Sequence, residues 1–331
     1  MGRIDLKVGY SCNDACLHCV VDDFRETLRH STLPQDKTLD IIKDEMRDAR
    51  TRGEHLTVTG GEPTIRPDFV EIIRYARELD YDVLVQTNGR RLSNPELVRQ
   101  LKEFDRVVYC IALHGPTAQI HDAITQRPGS FAQTVQGFRN LYDNGLPYTN
   151  KVVLSKLNYR HLPELCAFML ELHANIVNIA YPHAQGRARQ LWESVVPTYT
   201  EVAPYVHRAL DFLLENKVRV STEAMPYCLM EGYESLVAEA YQSPEEYSEI
   251  NQYGSTTGIQ NWSKVRLAIK SKFPQCQACR FDAVCEGPWN EYAQMFGSNE
   301  FTPIFGQPVH NLQELLTPSL HREFPLAFRI L

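Results

Sequence analysis

The chain has 331 residues, carries a formal net charge of -7 and contains nine cysteines. That cysteine number is odd and low for a disulfide scaffold, and the first residues, MGRIDLKVGY, have no apolar signal-peptide core. We therefore expect a cytoplasmic protein with reduced thiols. No apolar stretch is long enough to span a membrane, and the acidic balance without a basic run argues against a nucleic-acid partner.

From residue 4 onward, short apolar segments alternate with segments whose apolar residues recur at helical spacing, which is the pattern of parallel β/α units. Six strands are predicted, at residues 4–8, 56–59, 83–87, 107–113, 152–155 and 176–181. A helix is predicted over residues 131–143, with a capping box formed by Ser130 and Gln133. Six units are two short of a closed eightfold barrel, so we predict an α/β fold with a partial (β/α)6 TIM-like barrel and an active site at the C-terminal strand ends.

A second unit is predicted after the barrel. A helix at about residues 198–216 ends the repeat, and after KVRVST at 217–222 the sequence becomes irregular, polar and aromatic, with four further cysteines. We therefore divide the chain into residues 1–220, the partial barrel, and residues 221–331, a smaller C-terminal domain.

Three cysteines, Cys12, Cys16 and Cys19, form a C-x3-C-x2-C motif in the loop directly after the first predicted strand. Three thiolates on one loop suit a zinc ion, although a structural zinc site normally has a fourth ligand. They equally suit an iron-sulfur cluster with one iron left open. The motif alone does not distinguish these two kinds of metal site.

A second motif lies at the end of the second predicted strand, on the same edge of the barrel. There Gly60 and Gly61 let the backbone approach a ligand closely, and Glu62 can accept a hydrogen bond from an ammonium group. The cysteine motif, the GGEP segment and the six β/α units, in this order, strongly resemble the radical S-adenosylmethionine (SAM) superfamily. A zinc site would leave the GGEP segment and the barrel repeat unexplained.

The resemblance implies that the three cysteines bind a 4Fe-4S cluster whose open iron is chelated by the amino and carboxylate groups of SAM. In that superfamily one electron from the cluster cleaves SAM to a 5'-deoxyadenosyl radical, which abstracts hydrogen from the substrate. An electron donor such as flavodoxin or ferredoxin is therefore an expected partner.

Further SAM-contacting positions follow from the resemblance. His18 stands where the family usually has an aromatic residue against the adenine, and Asn88 lies in the TNG segment after the third strand. The segment at 181–188, YPHAQGRA, resembles the one near the adenine. One position departs from the family: Ala112 replaces a ribose-contacting Ser, and His114, on the same strand face, is our candidate to replace that contact.

The second cysteine set combines a C-x2-C-x5-C motif, Cys276, Cys279 and Cys285, with Cys228 upstream. Zinc is possible on spacing alone, but the pattern resembles the SPASM and twitch auxiliary-cluster domains of the superfamily. Full SPASM domains have seven cysteines, and Trp289 stands at the place of one of them here. We therefore expect one auxiliary 4Fe-4S cluster with Cys228 as fourth ligand, or an open iron that can bind substrate if Cys228 points elsewhere.

The resemblance implies a radical SAM enzyme that abstracts hydrogen, and we favour modification of a ribosomally made peptide. The alternative is radical oxidation or rearrangement of a small metabolite in cofactor or natural-product biosynthesis. The chain begins 11 residues before Cys12, so a peptide would need a separate recognition protein or direct docking. The aromatic insert at residues 231–262 either covers the barrel mouth or braces the cluster. A non-catalytic metal-binding or electron-transfer protein would leave the SAM-type motifs without a purpose.

Overall fold

The computed structural model describes residues 2–241, 247–250 and 259–315. Their strands form a single sheet with the order β7-β6-β5-β4-β3-β2-β1-β8-β9, in which every neighbouring pair is parallel except β8 and β9. The strands are β1 (Arg3–Lys7), β2 (His55–Thr59), β3 (Asp82–Thr87), β4 (Val107–Ala112), β5 (Tyr148–Val153), β6 (Ile176–Ala180), β7 (Arg219–Glu223), β8 (Tyr247–Ile250) and β9 (Ile259–Asn261).

The helices lie mainly between successive strands. They are α1 (Asp22–Arg29), α2 (Leu39–Ala49), α3 (Phe69–Glu78), α4 (Pro95–Leu101), α5 (Ala118–Thr125), α6 (Ser130–Asp143), α7 (Leu162–Glu171), α8 (Arg187–Gln190), α9 (Trp192–Val195), α10 (Tyr199–Glu215), α11 (Trp262–Ala268) and α12 (Asn290–Phe296). Short 3-10 helices occupy Arg50–Arg52, Pro63–Ile65, Arg90–Ser93, Tyr159–His161, Tyr227–Leu229, Glu234–Leu236, Ala238–Tyr241, Pro274–Ala278 and Leu312–Leu315. Within the described ranges, no helix is long and apolar enough to cross a membrane.

The predicted partial α/β barrel is confirmed, since β1 to β7 form a curled, wholly parallel half-barrel. The six predicted strands are all present, and the segment KVRVST contributes a seventh, β7, beside β6. The prediction missed it because Val220 is the only apolar residue within β7. Strand β5 begins at Tyr148, earlier than predicted, because Thr149, Asn150 and Lys151 interrupt its apolar run.

The aromatic insert lies partly outside the described residues, at 242–246 and 251–258. Its described part extends the sheet instead of ending it. Strand β8 pairs in parallel with β1, and β9 pairs antiparallel with β8. The edge of β1 is therefore covered by chain from the C-terminal third of the sequence.

The two faces of the curled sheet differ in polarity. Because successive side chains alternate between faces, one face presents apolar residues such as Leu6, Val58 and Val177, which share a continuous core with the helices. The opposite, inner face presents polar side chains on β5 to β7. On that face Lys151, Asn178 and Ser221 are register partners across three adjacent strands.

Helix α6 begins differently from the prediction. Ser130 is its first residue and Gly129 its N-cap, and no side-chain cap hydrogen bond comes from the N-cap residue itself. Instead the Asp122 carboxylate, from α5, accepts from the backbone N–H groups of Phe131 and Gly129, each at 2.7 Å. The predicted capping box is therefore wrong, because a carboxylate from the preceding helix takes its place.

Candidate functional site

The first cysteine set lies between β1 and α1, with Cys12, Cys16 and Cys19 all partly exposed. Burial raises the pKa of the Cys12 thiol to about 12, and the Glu62 carboxylate adds to that effect. Burial also raises the pKa of Cys16 well above its usual value, with contributions from Asp14 and from the other two thiols. The three thiols thus share one site, and a metal centre bound there would displace their protons.

Residues after β3 bind the cysteine loop. The Arg90 guanidinium donates through Nη1 to the Asn13 carbonyl at 2.6 Å and to Asp14 Oδ1 at 2.7 Å. Asp14 is buried, which raises the pKa of its carboxyl, and Arg90 opposes that shift. The predicted site residue Asn88 donates through Nδ2 to Asn13 Oδ1 at 2.7 Å. The loop after β3 therefore fixes the segment between the first two cysteines.

Two further elements attach to the same loop. The Ala15 N–H donates to the Thr125 carbonyl, at the end of α5, at 2.9 Å. Arg187, from the segment at 181–188, donates through Nη1 to the Ala15 carbonyl at 2.6 Å and through its backbone N–H to the Cys19 carbonyl at 3.0 Å. The segment after β6 thus contacts the cysteine loop, next to its third cysteine.

The glycines of the GGEP segment bring two backbone segments together. The Gly61 N–H donates to the Gly9 carbonyl and the Glu62 N–H to the Ser11 carbonyl, each at 2.8 Å. Gly60 has φ +135°, a conformation that favours glycine, and a Cβ there would lie 2.1 Å from Gly9 O. A Cβ on Gly61 would lie 2.2 Å from Ser11 O. Both glycines are needed by the protein's own backbone, a role that the sequence analysis did not identify.

Glu62 is buried and serves as an acceptor for groups from two loops. Its Oε1 accepts from Thr64 N at 3.0 Å, Thr64 Oγ1 at 2.5 Å and Thr87 Oγ1 at 2.7 Å. Its Oε2 accepts from Asn88 N at 2.7 Å. Burial raises the pKa of the carboxyl and these hydrogen bonds oppose the shift. Since a carboxylate oxygen can accept more than one hydrogen bond, Oε2 keeps acceptor capacity.

Three buried histidines stand beside the cysteine loop. The ring centroids of His18 and His114 lie 4.5 Å apart, and those of His114 and His121 lie 5.8 Å apart. His121 Nδ1 accepts from the His114 N–H at 3.1 Å, and His114 Nδ1 accepts from the Val153 N–H at 3.4 Å. An imidazole that accepts through Nδ1 carries its proton on Nε2 when neutral. His121 was not among the predicted site residues, since its only sequence signal is a histidine soon after the fourth strand.

Burial keeps the three imidazoles neutral. It lowers the pKa of His18 to about 4 and that of His121 to about 4, and it lowers the pKa of His114 well below its usual value. The buried Nδ1 of His18 has no hydrogen-bond partner among the described residues. His18 therefore presents an unpartnered ring nitrogen next to Cys19.

The second cysteine set also gathers at one place. Cys228, Cys276, Cys279 and Cys285 line a single pocket, whose wall includes Tyr227. Burial raises the pKa of the Cys228 thiol to about 12, and the three other thiols add to that effect. The fold thus brings Cys228 to the other three across the intervening sequence.

No three His, Cys, Asp or Glu side chains in the described part of the chain are arranged to hold a single metal ion. The cysteine sulfurs that bind a cubane cluster lie farther apart than those that bind a single metal ion. Whether each cysteine set fits a cluster therefore follows from the chemistry of its donor atoms. Thiolates are the preferred ligands of iron-sulfur clusters. Each set fits such a cluster in donor type, with three thiols in the first and four in the second.

The inner face of the half-barrel carries an accessible ion pair. Lys151 Nζ donates to Glu223 Oε2 at 2.6 Å, and the two side chains keep 25% and 39% of their surface accessible. Asn178 Nδ2 donates to Ser221 Oγ at 2.9 Å between them. Cys110 is buried on this face. Open space therefore remains inside the sheet at the level of the ion pair.

A model of the radical SAM superfamily matches residues 6–169. The chain is 34% identical over 218 residues, 65% of its length, to the mycofactocin maturase MftC of Mycobacterium ulcerans, and 26% identical over 217 residues, also 65%, to the AdoMet-dependent heme synthase of Methanosarcina barkeri. With the cysteine loop and the half-barrel, these findings establish that the chain belongs to the radical SAM superfamily. The matches span 56% and 60% of the two relatives, so the chain covers little more than half of their length.

Solved structures share the fold. Streptococcus suis SuiB has been solved with S-adenosylmethionine and with its precursor peptide SuiA, and these structures give TM-scores of 0.64 and 0.65. Both are 16% identical to this chain, cover 91% of it and are themselves covered over 76% and 74% of their length. At this identity the likeness concerns the fold alone.

Gly61→Ala should destabilise the protein by about 1–3 kcal/mol, because the added Cβ has to displace the backbone at Ser11. The displacement should also lower the iron retained per chain after anaerobic reconstitution. Lys102→Ala is the control, since Lys102 is an exposed surface residue. Denaturant unfolding and iron analysis measure the two effects, and unchanged stability and iron in Gly61→Ala would contradict the close backbone approach.

His121→Asn should weaken the loss of stability in acid. With its pKa lowered from 6.5 to about 4 in the folded state, His121 binds fewer protons there than in the unfolded chain. The free energy of unfolding therefore falls as pH falls from about 6.5 to 4. Asn keeps an acceptor for the His114 N–H but does not titrate, so the slope should be shallower by up to about 1.4 kcal/mol per pH unit.

Urea unfolding of metal-free protein between pH 7 and pH 5 measures this slope. His30→Asn provides the control, because the His30 side chain is 76% exposed. Parallel profiles for wild type and His121→Asn would show that His121 has no part in the acid sensitivity.

Proposed function

We propose that the protein is a radical SAM enzyme that cleaves SAM reductively and abstracts hydrogen from a substrate. When bound, a 4Fe-4S cluster and SAM supply the reductive cleavage that yields the hydrogen-abstracting radical. The observation that carries the proposal is the gathering of the Cys12, Cys16 and Cys19 thiols at the strand ends where Glu62 and Asn88 also lie.

In this proposal the chain's own residues hold and orient the cofactors. The three thiols lose their protons and ligate the cluster. The remaining acceptor capacity of Glu62 Oε2 suits an ammonium group, and the unpartnered Nδ1 of His18 suits a polar group of the adenine. The backbone at Gly60 and Gly61 contributes to the same site, while the neutral His114 replaces the family's ribose-contacting Ser. We assign no residue to proton or hydrogen transfer from the substrate.

We propose further that residues 221–331 form a twitch- or SPASM-like domain with one auxiliary 4Fe-4S cluster. The support is that all four cysteines, Cys228 included, line one pocket. Four thiol ligands would close the cluster coordinatively, which favours electron transfer or a structural role over direct substrate binding. Zinc in this pocket is the competing interpretation.

For the substrate we propose a ribosomally made peptide. The support comes from the similarity to a mycofactocin maturase and from the shared fold with SuiB, which was solved with a precursor peptide. The polar, accessible inner face at Lys151 and Glu223 offers hydrogen-bonding groups to such a substrate. Similarity to a heme synthase keeps a small-metabolite substrate as the second candidate. A flavodoxin or ferredoxin would supply electrons, in the cytoplasm, and a separate recognition protein would present the peptide.

Replacing Cys12, Cys16 or Cys19 by Ala should abolish 5'-deoxyadenosine formation, because each variant lacks one of the three ligands of the SAM-binding cluster. The measurement is chromatography of 5'-deoxyadenosine after chemical reduction of anaerobically reconstituted protein with SAM. Cys166→Ala is the matched control, since Cys166 is buried in the core on α7. Wild-type cleavage by a folded Cys16→Ala variant would refute the assignment of the cluster to this loop.

Reconstituted wild-type protein should contain about eight iron atoms per chain, from two cubane clusters, and no stoichiometric zinc. Cys279→Ala should lose the auxiliary cluster, retain about four iron atoms and still cleave SAM. Elemental analysis with circular dichroism as the folding check measures this. About four iron atoms together with one zinc in the wild type would disprove the auxiliary cluster and leave the first site intact.

A further inference from the structure

A network of buried charges lies directly behind the second cysteine set. Glu286, the neighbour of Cys285, accepts from Arg266 Nη2 at 2.6 Å through Oε1. The Lys270 ammonium lies 3.9 Å from Glu286 Oε2, and its side chain is only 2% exposed. Lys270 is therefore a cation held out of water next to a cysteine-bearing segment.

The backbone explains why Lys270 lies so close to this segment. The Ser271 N–H donates to the Pro288 carbonyl at 2.8 Å, and Lys270 forms a backbone bridge with Trp289. A Cβ on Gly287 would lie 1.9 Å from Ser271 O, so glycine is required for this approach. Residues 269–272 are thus packed against 287–290, just beyond Cys285.

The surroundings of the Lys270 ammonium are specific. It lies 3.7 Å from the centroid of the Trp289 ring, in a cation–π contact. Burial lowers its pKa, while the carboxylates of Glu239 and Glu286 and the Cys285 thiol oppose that shift. Glu239 is hydrogen-bonded to the residue after β7, where its Oε1 accepts from Ala224 N at 2.8 Å. The cation is held between acidic groups and an aromatic ring, within electrostatic reach of Cys285.

We propose that Lys270 raises the reduction potential of the auxiliary cluster held by Cys285 and its three partner cysteines. The proposal rests on the auxiliary cluster proposed above. A positive charge favours the form of the cluster that holds one more electron, and net charge and solvent exposure are among the factors that set such potentials. A buried charge acts far more strongly than an exposed one, because the surrounding dielectric is low and ions do not screen it.

The chain offers a matched comparison in Lys272. Lys272 lines the cysteine pocket itself, so it is placed at least as favourably as Lys270 in distance. Its side chain, however, is 40% exposed and paired with Asp282 at 2.9 Å. If burial determines how strongly a lysine raises the reduction potential, Lys270 must raise it more than Lys272 does.

The test is a redox titration of the full-length, two-cluster protein, followed by electron paramagnetic resonance under anaerobic conditions. Lys270→Met should shift the midpoint potential of the auxiliary cluster to more negative values and leave that of the SAM-binding cluster unchanged. Lys272→Met should give a clearly smaller shift, and Lys270→Arg, which keeps the charge, should stay close to the wild type.

An unshifted potential in Lys270→Met, or a shift no larger than that of Lys272→Met, overturns the proposal while leaving the auxiliary cluster in place. If Lys270→Met does not fold, the other two variants test the proposal. A large shift in the midpoint potential of the auxiliary cluster, in Lys272→Met or in a folded Lys270→Arg, contradicts the proposal. Iron analysis of the wild type tests the existence of the auxiliary cluster separately from the effect of Lys270. A chain that holds only one cluster overturns both the auxiliary cluster and this proposal.

Discussion

The close approach of two backbone segments, residues 9–11 and 60–62, is the constraint on which the site depends. Their hydrogen bonds are possible only because Gly60 and Gly61 lack side chains. With that contact made, Glu62 is positioned to accept from the loop after β3, and Arg90 from that loop reaches Asp14. The ends of β1, β2 and β3 therefore meet through backbone and buried polar contacts, and the cysteine loop has little freedom to move independently of the barrel.

The polarity of the inner face follows from leaving the barrel incomplete. In a closed eight-stranded barrel, layers of bulky side chains fill the interior. Here β1 to β7 curl without closing, and Lys151, Asn178, Ser221 and Glu223 occupy one region of the inner face. Polar groups at such positions are costly unless they pair or meet water, and the ion pair retains accessible surface. The inner face of the sheet thus lines a cavity, and the outer face packs against the helices.

Sequence patterns predicted the parts of the structure that depend on local periodicity. Short segments rich in apolar residues, alternating or continuous, identified β1 to β4 and β6, and cysteine spacing identified both thiol sets. Strand β7 was not predicted because Val220 is its only apolar residue. The true cap of α6 was not predicted because Asp122 belongs to another helix. The clustering of His18, His114 and His121 depends on tertiary packing, and so does the meeting of Cys228 with Cys276. Such contacts join distant positions, and one sequence carries no local signal for them.

The raised thiol pKa values have a consequence for the protein before its clusters are assembled. The nucleophile in thiol chemistry is the thiolate, and burial keeps Cys12, Cys16 and Cys228 protonated near neutral pH. These three thiols should therefore react slowly with alkylating agents and with oxidants that form sulfenic acid, since both reactions begin at the thiolate. The same burial that makes metal insertion compete with protons gives these three ligands a longer chemical lifetime in which to receive iron.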